Sequence, residues 1–249
     1  MELKGLVAIV TGAGKGIGKA IAEEYLREGA SVALWGRSLD QLKQVEEALN
    51  PSGERVISAK VDVSREQEVQ SGCSEVLRRF NHIDILVNNA GINHQFTPIE
   101  EMSLQAFESL LQVNLVGTFL CSRAVTPVMK KQKRGKMINI SSLAGRTGRR
   151  NVGVNYGASK AGVIGLTKTL ARELGPSGIY VNGIAPGPIL TELMKQFPAE
   201  AIAGWNAGRA VDRNGLPEDI AHAAVFLASV RSDWVTGVTL DVNGGIMMF

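Results

Sequence analysis

Leu6-Val7-Ala8-Ile9-Val10 runs straight into Thr11-Gly12-Ala13-Gly14-Lys15-Gly16-Ile17-Gly18. The first five residues form an unbroken apolar run, as expected of a strand covered on both faces. Apolar residues then recur with helical spacing from Gly16 to Glu28, at Ile17, Ala20, Ile21, Ala22, Tyr25 and Leu26. The glycines between let the backbone turn sharply and approach a ligand closely. The helix behind them offers free N–H groups and a positive dipole end, which suits a pyrophosphate. Strand, glycine turn and helix in that order separate this motif from a chance glycine cluster. A Gly-Lys-Ser/Thr ending is absent, which disfavours a P-loop NTPase.

Outward from this unit, the same alternation repeats. Strands are predicted over Ser31 to Trp35, Arg55 to Val61, Ile83 to Val87, Lys136 to Ile140, Ile179 to Ile184 and Val238 to Val242. Helices are predicted over Leu39 to Leu49 (closed by Asn50-Pro51), Arg65 to Phe80, Asn155 to Leu174 and Glu218 to Ala228. Ser103 to Gln132 holds one long helix or two. Repeated strand–helix units require right-handed crossovers, so the fold expected is α/β, a single-domain Rossmann-type doubly wound sheet of about seven parallel strands with helices on both faces. No linker breaks residues 1–249. Pro186 to Asn214 is the one long stretch without clear periodicity, and a substrate lid at about 188–214 is expected there.

Composition narrows the function. Of 249 residues, 45% are hydrophobic and 20% charged, which excludes a disordered chain. A net charge of +3, with no basic stripe carrying interleaved aromatics, argues against a nucleic-acid partner. The basic run Lys130 to Lys136 is expected to cap a helix end facing water. Cys73 and Cys121 have no metal-like spacing, so no metal is expected and a reduced compartment fits best. No signal peptide and no membrane-length apolar run is seen, so a cytoplasmic protein without a membrane partner is expected.

The second strand points to the nucleotide. An Asp or Glu at its end holds the ribose 2′-OH of NAD, whereas basic residues neutralise the 2′-phosphate of NADP. Here it ends Trp35-Gly36-Arg37-Ser38, with no carboxylate before Asp40. Arg37 can meet the phosphate and Lys15 can reach it from the glycine loop. NADP(H) is therefore expected ahead of NAD(H). Asp62, followed by Val63, can accept a hydrogen bond from the adenine amine.

Tyr156 and Lys160 stand four apart, on one face of a helix. A free tyrosine, with a pKa of about 10, is a poor base at neutral pH. A neighbouring ammonium is expected to lower it, letting Tyr156 exchange a proton with an alcohol or carbonyl oxygen. Ser141-Ser142 follows a strand, at the edge where open α/β sheets bind ligands. Ser142 can donate to the substrate oxygen. Asn88-Asn89-Ala90-Gly91 ends the fourth strand at the same edge, and Asn114 is an amide that needs a polar partner if buried.

Taken together, these residues closely resemble the short-chain dehydrogenase/reductases along essentially the full length. The resemblance rests on Thr11 to Gly18, Asp62-Val63, Asn88 to Gly91, Asn114, Ser142, Tyr156 with Lys160, Pro186-Gly187 with Thr191, and Asp241 to Gly245. It implies that Tyr156 is the acid/base, that Ser142 polarises the substrate oxygen and that Lys160 also binds the nicotinamide ribose. It implies that Asn114 holds a water linking Lys160 to solvent. It further implies that Ile189 and Thr191 contact the nicotinamide carboxamide, and that the protein is a homotetramer. The nearest members are 3-oxoacyl-acyl-carrier-protein reductases and the sugar or polyol dehydrogenases.

The substrate is less legible. Leu143 to Asn155 and Pro188 to Arg213 are expected to line its pocket. They carry Arg146, Arg149, Arg150, Lys195, Arg209 and Arg213, and His94 lies at the same edge. His94, Arg146, Arg149 and Arg150 are the candidate substrate residues. Such cations suit an anionic or carrier-bound carbonyl/alcohol substrate, though solvated loops also carry charge. Reduction of a 3-oxoacyl thioester is one expectation, and oxidation of a sugar, polyol or sugar acid the other. A non-catalytic nucleotide-binding regulator would be expected to lose Tyr156, Lys160 or Ser142, and all three are present.

Overall fold

The computed structural model describes residues 1–49, 53–192, 194 and 197–248. In chain order the elements begin β1 (Val7–Thr11), α1 (Gly16–Arg27), β2 (Ser31–Gly36), α2 (Leu39–Leu49), β3 (Val56–Lys60) and α3 (Glu66–Phe80). They continue with β4 (Ile85–Asn88), α4 (Leu104–Leu111), α5 (Gly117–Gln132), β5 (Gly135–Ile140) and α6 (Val154–Leu174). Last come β6 (Ile179–Pro186), α7 (Ala199–Asn206), α8 (Pro217–Ala228) and β7 (Thr239–Val242).

Among the described residues, seven strands form one sheet in the order β3-β2-β1-β4-β5-β6-β7, every adjacent pair parallel. The chain moves outward from β1 to β3, then returns past β1 to build outward again from β4. The reversal leaves a crevice between β1 and β4 at the carboxyl ends of the strands.

Alternation along the strands feeds two cores. Ala8, Val10, Ile85 and Val87 pack with Ile21, Tyr25, Ile220 and Leu227 on one face. Val7, Ile9 and Leu86 pack with Val69, Val76, Val125 and Met129 on the other. The Tyr25 hydroxyl, buried between α1 and α8, donates to the carbonyl of Ala224 at 3.1 Å. Cys73 and Cys121 lie in the second core, where burial pushes both thiols up, that of Cys73 to about 12.

Three expectations change. The stretch from Leu104 to Gln132 is helical throughout, but a π-helical turn, Gln112–Val116, joins α4 to α5. Such turns widen a helix locally and cluster at functional sites; this one carries Asn114. The basic run divides: Lys130 and Lys131 stand in the last turn of α5 and Lys133 caps it, as expected, whereas Lys136 lies in β5, with Nζ 2.7 Å from Asp233 Oδ1 and 4.3 Å above the Tyr180 ring. The stretch from Pro186 to Asn214 includes α7, a two-turn helix too short to print a clear period. Its base is closed where Ile189 pairs with Gly215 and the Leu190 N–H donates to the Gly215 carbonyl at 2.8 Å. Asn50-Pro51 and Lys195 lie outside the described residues. Among the described residues, no helix is long and apolar enough to cross a membrane.

Two helical glycines predict opposite effects of one substitution. A Cβ on Gly18 would lie 2.3 Å from the Gly12 carbonyl oxygen and 2.4 Å from Asn89 Nδ2. A Cβ on Gly165, exposed on α6, would meet nothing within 4 Å. Gly18→Ala is expected to destabilise by about 2 kcal/mol through overpacking, roughly 5 °C in Tm. Gly165→Ala is expected to stabilise by up to about 1 kcal/mol through helix propensity. Thermal unfolding of both variants checks this, and equal shifts would contradict it.

Candidate active site

The crevice is clasped at its centre by Thr11. Its hydroxyl donates to the Val87 carbonyl at 3.2 Å and accepts from the N–H groups of Asn89 at 3.0 Å and Ala90 at 2.9 Å. Asn89 Nδ2 returns a bond to the Thr11 carbonyl at 2.9 Å. Gly12, at φ +66°, lies where a Cβ would meet Asn89 Nδ2 at 2.9 Å. The loop can thus pass the fourth strand's end only as glycine. Helix α1 starts behind it with no side-chain cap and no acidic residue in its first turn. Its first N–H groups are therefore suited to an anion.

A cleft of about 460 Å³ runs along this edge. Of the residues expected to bind the nucleotide, Gly12, Gly14, Lys15, Gly16, Ile17, Arg37, Asp62, Val63, Asn89, Ala90 and Gly91 line it. Gly18 does not line it. The tight approach of α1 to Gly12 is what that position needs, so its part is packing. Lys15 and Arg37 are both exposed at the cleft, and no acid lines the end of β2; Ser38 and Gln41 do. Burial pushes the Asp62 carboxyl up, but the Ser64 hydroxyl at 2.6 Å, the Ser64 N–H, and the charges of Arg37 and Arg65 outweigh it, holding Asp62 below the usual range. These groups fit an adenine nucleotide carrying extra negative charge near Arg37.

The same cleft is lined by Ser142, Tyr156, Lys160, Pro186, Gly187, Ile189 and Thr191, and a Cβ on Gly16 would meet Thr191 Cγ2 at 3.4 Å, so Thr191 reaches back to the glycine loop. Ser142 follows β5 in extended conformation, and its Oγ accepts from the Ala144 N–H at 3.1 Å. The turn after it lies hard against α6, for a Cβ on Gly145 would fall 2.5 Å from the Lys160 carbonyl carbon. Lys160 is buried, with Nζ donating to the Ile140 carbonyl at 2.8 Å and lying 5.8 Å from the centre of the Tyr156 ring. Asn114 is buried behind Gly91 and does not itself line the cleft. Its Oδ1 accepts from the Ile92 N–H at 2.8 Å, and its Nδ2 donates to the Ile92 carbonyl at 2.9 Å and to Ser159 Oγ at 3.2 Å. A Cβ on Gly91 would sit 3.3 Å from Asn114 Oδ1 and 3.4 Å from Lys160 Nζ, so the glycine keeps these two polar groups close.

One electrostatic expectation is reversed. Burial pushes the Tyr156 phenol up; its hydrogen bond with Ser142 pulls it down by less. Burial also lowers the Lys160 amine, to about 8. Burial decides the direction for both groups, and Lys160 donates to a backbone carbonyl and not to the phenol.

The cations separate sharply. Arg149 lines the cleft; Arg146, Arg150 and His94 do not. Arg146 pairs with Asp241 Oδ1 at 3.0 Å and donates to the Thr239 carbonyl, which turns it toward β7. Arg150 and His94 are exposed. Arg209 donates to Asn206 Oδ1 and Asn214 Oδ1, both at 2.9 Å, and Arg213 pairs with Asp219 at 2.6 Å. Met194, Phe197 and Trp205 line the cleft from within the stretch Pro188 to Arg213 expected there, but reasoning from its charges singled out none of these apolar residues.

With the site described, likeness to known proteins becomes informative. The family profile described as Enoyl-(Acyl carrier protein) reductase matches residues 12–247. The chain is 40% identical over 248 residues to the 3-oxoacyl-[acyl-carrier-protein] reductase FabG of Aquifex aeolicus, covering 99% of each. It is 40% identical over 246 residues to the 3-oxoacyl-[acyl-carrier-protein] reductase of Synechocystis sp., covering 98% of this chain and 97% of that one. Among solved structures, levodione reductase superposes with a TM-score of 0.93 at 31% identity, covering 98% of both chains. The structure named gox2181 does so with a TM-score of 0.95 at 32% identity, covering 98% of this chain and 96% of that one. The chain belongs to the short-chain dehydrogenase/reductase family of oxidoreductases.

Proposed function

We propose that this oxidoreductase uses NADPH to reduce the 3-oxo group of an acyl thioester, carried on an acyl carrier protein. The observation that carries the reading is one cleft lined both by Lys15 and Arg37 and by Ser142, Tyr156 and Lys160. The names of the two curated relatives support the thioester. Residues 1–249 act as one domain, with 188–214 as the substrate lid. A homotetrameric, cytoplasmic enzyme is part of the same reading, on family resemblance.

The chemistry NADPH would supply when bound is a hydride for the carbonyl carbon. The chain's residues handle binding and the proton. Lys15 and Arg37 neutralise the 2′-phosphate. Asp62 and Val63 meet the adenine, and Ile189 and Thr191 the carboxamide. Ser142 donates to the carbonyl oxygen and polarises it. The raised proton affinity of Tyr156 keeps its phenol protonated at neutral pH, which suits an acid that gives its proton to the forming alkoxide. Lys160 holds the ribose, and its ammonium stabilises the phenolate left behind. Asn114 orders the backbone at Ile92 beside Lys160 and completes the proton path to solvent.

Three measurements check these roles. Tyr156→Phe is expected to lower kcat by about 10³-fold with the Kd for NADPH nearly unchanged, since only the proton-transfer group is lost. Arg37→Ala is expected to weaken NADPH by at least about tenfold and NADH far less, on loss of one charge-assisted contact. Equal losses for both would remove the NADP assignment. Lys160 is lowered from 10.5 to about 8, so its ammonium is present below that pH and lost as pH rises through it. The kcat/KM for NADPH, which reports the free enzyme, is therefore expected to fall above about pH 8. A flat profile to pH 10 would contradict it.

A further inference from the structure

We propose that Trp205 is a specificity-determining residue: it presents an aromatic face to the part of the substrate beyond the reacting carbonyl. This rests on the reading of the cleft as the site of carbonyl reduction, and it adds the residue that selects among carbonyl compounds.

Trp205 belongs to α7, yet it lines the same cleft as Ser142 and Tyr156. Two reciprocal hydrogen bonds hold it there. Its indole Nε1 donates to the Arg150 carbonyl at 3.1 Å, and its own carbonyl accepts from Arg149 Nη2 at 2.6 Å. Phe197 meets the indole edge to face, with ring centres 5.0 Å apart and planes at 71°. The only polar atom of the side chain is thus satisfied away from the cleft, so the ring can offer an apolar surface without an unpaired donor. The loop that follows Ser142 and the helix of the lid form one roof, tied at Arg149, Arg150 and Trp205.

The lining near it is largely apolar: Leu143, Val152, Met194 and Phe197 line the cleft with Trp205, beside the polar Asn93 and Glu192, and Arg149 Nη2 is turned to the Trp205 carbonyl. A polyhydroxylated chain placed against such a wall would leave hydroxyls unpaired. An alkyl chain or apolar ring would bury surface there, and each methylene accepted is worth about tenfold in kcat/KM. The class selected is therefore a carbonyl compound with an apolar group beyond the carbonyl, and keto sugars are disfavoured.

The test compares wild type, Trp205→Phe and Trp205→Ala on a panel with NADPH. The panel contains acetoacetyl and 3-oxooctanoyl thioesters, an apolar cyclic diketone and a keto sugar. Tm and the Kd for NADPH report that each variant is folded; should Trp205→Ala unfold, Trp205→Leu keeps bulk without the aromatic face. The ratio of kcat/KM for 3-oxooctanoyl over acetoacetyl is expected to fall about tenfold in Trp205→Ala and much less in Trp205→Phe. A ratio unchanged within about twofold in Trp205→Ala would overturn the inference while leaving the proposed function intact. If wild type reduces the diketone but neither thioester, the proposed function fails. The inference is then read on diketone over keto sugar, where Trp205→Ala must lower the preference. A wild-type preference for the keto sugar would overturn the inference outright.

Discussion

The Thr11 hydroxyl stands between two strands whose onward connections run to opposite halves of the sheet. It donates across the seam to Val87 and accepts from two backbone N–H groups of the chain leaving β4. A parallel sheet built outward in both directions from β1 and β4 must leave its crevice here. With Asn89 closing on Thr11 and Gly12, the glycine loop is held within contact of the fourth strand's end. Gly12 and Gly18 are then set by distance, since side chains at either would collide with that clasp. Displacing the seam would separate the phosphate-facing helix terminus from the Asn89–Gly91 turn, and with it the two ends of the cleft.

The reacting end follows from the next strands along. β5 delivers Ser142 beyond its carboxyl end, and α6 lies so close to the following turn that only glycine fits at 145. This packing buries Lys160, and burial has an energetic consequence. It lowers the proton affinity of the lysine to about 8 and raises that of Tyr156. Both groups are thereby kept nearer to neutral than they would be in water. A tyrosine that holds its proton, beside a lysine that titrates close to physiological pH, suits the proton donation proposed above.

Much of this was legible in the residues. The apolar runs and helical periods placed all seven strands within two residues or so, because strands covered on both faces print unbroken apolar sequence. That Tyr156, Lys160, Ser142, Arg37 and Lys15 share one cleft was legible because it depends on local spacing and on position after a strand. What was not legible depends on three-dimensional neighbours. The π-helical turn at Asn114 has no period of its own. The pairing of Arg146 with Asp241 joins residues far apart in the chain, so charge near a presumed pocket mouth misled. The segment holding Trp205 is expected at the pocket, but its ties to Arg149 and Arg150 join residues more than fifty apart, and nothing near Trp205 in sequence singles it out. The direction of the Tyr156 shift turned on burial, which spacing does not report.

In the proposed reaction, a nicotinamide hydride and the Tyr156 proton reach the same carbonyl in one cleft. The most direct measurement supplies NADPH deuterated at both C4 positions with acetoacetyl thioester in ordinary water, and weighs the product. The account predicts a 3-hydroxyacyl thioester carrying one deuterium, bound to the former carbonyl carbon. A product without deuterium, or no alcohol formed at all, would contradict it.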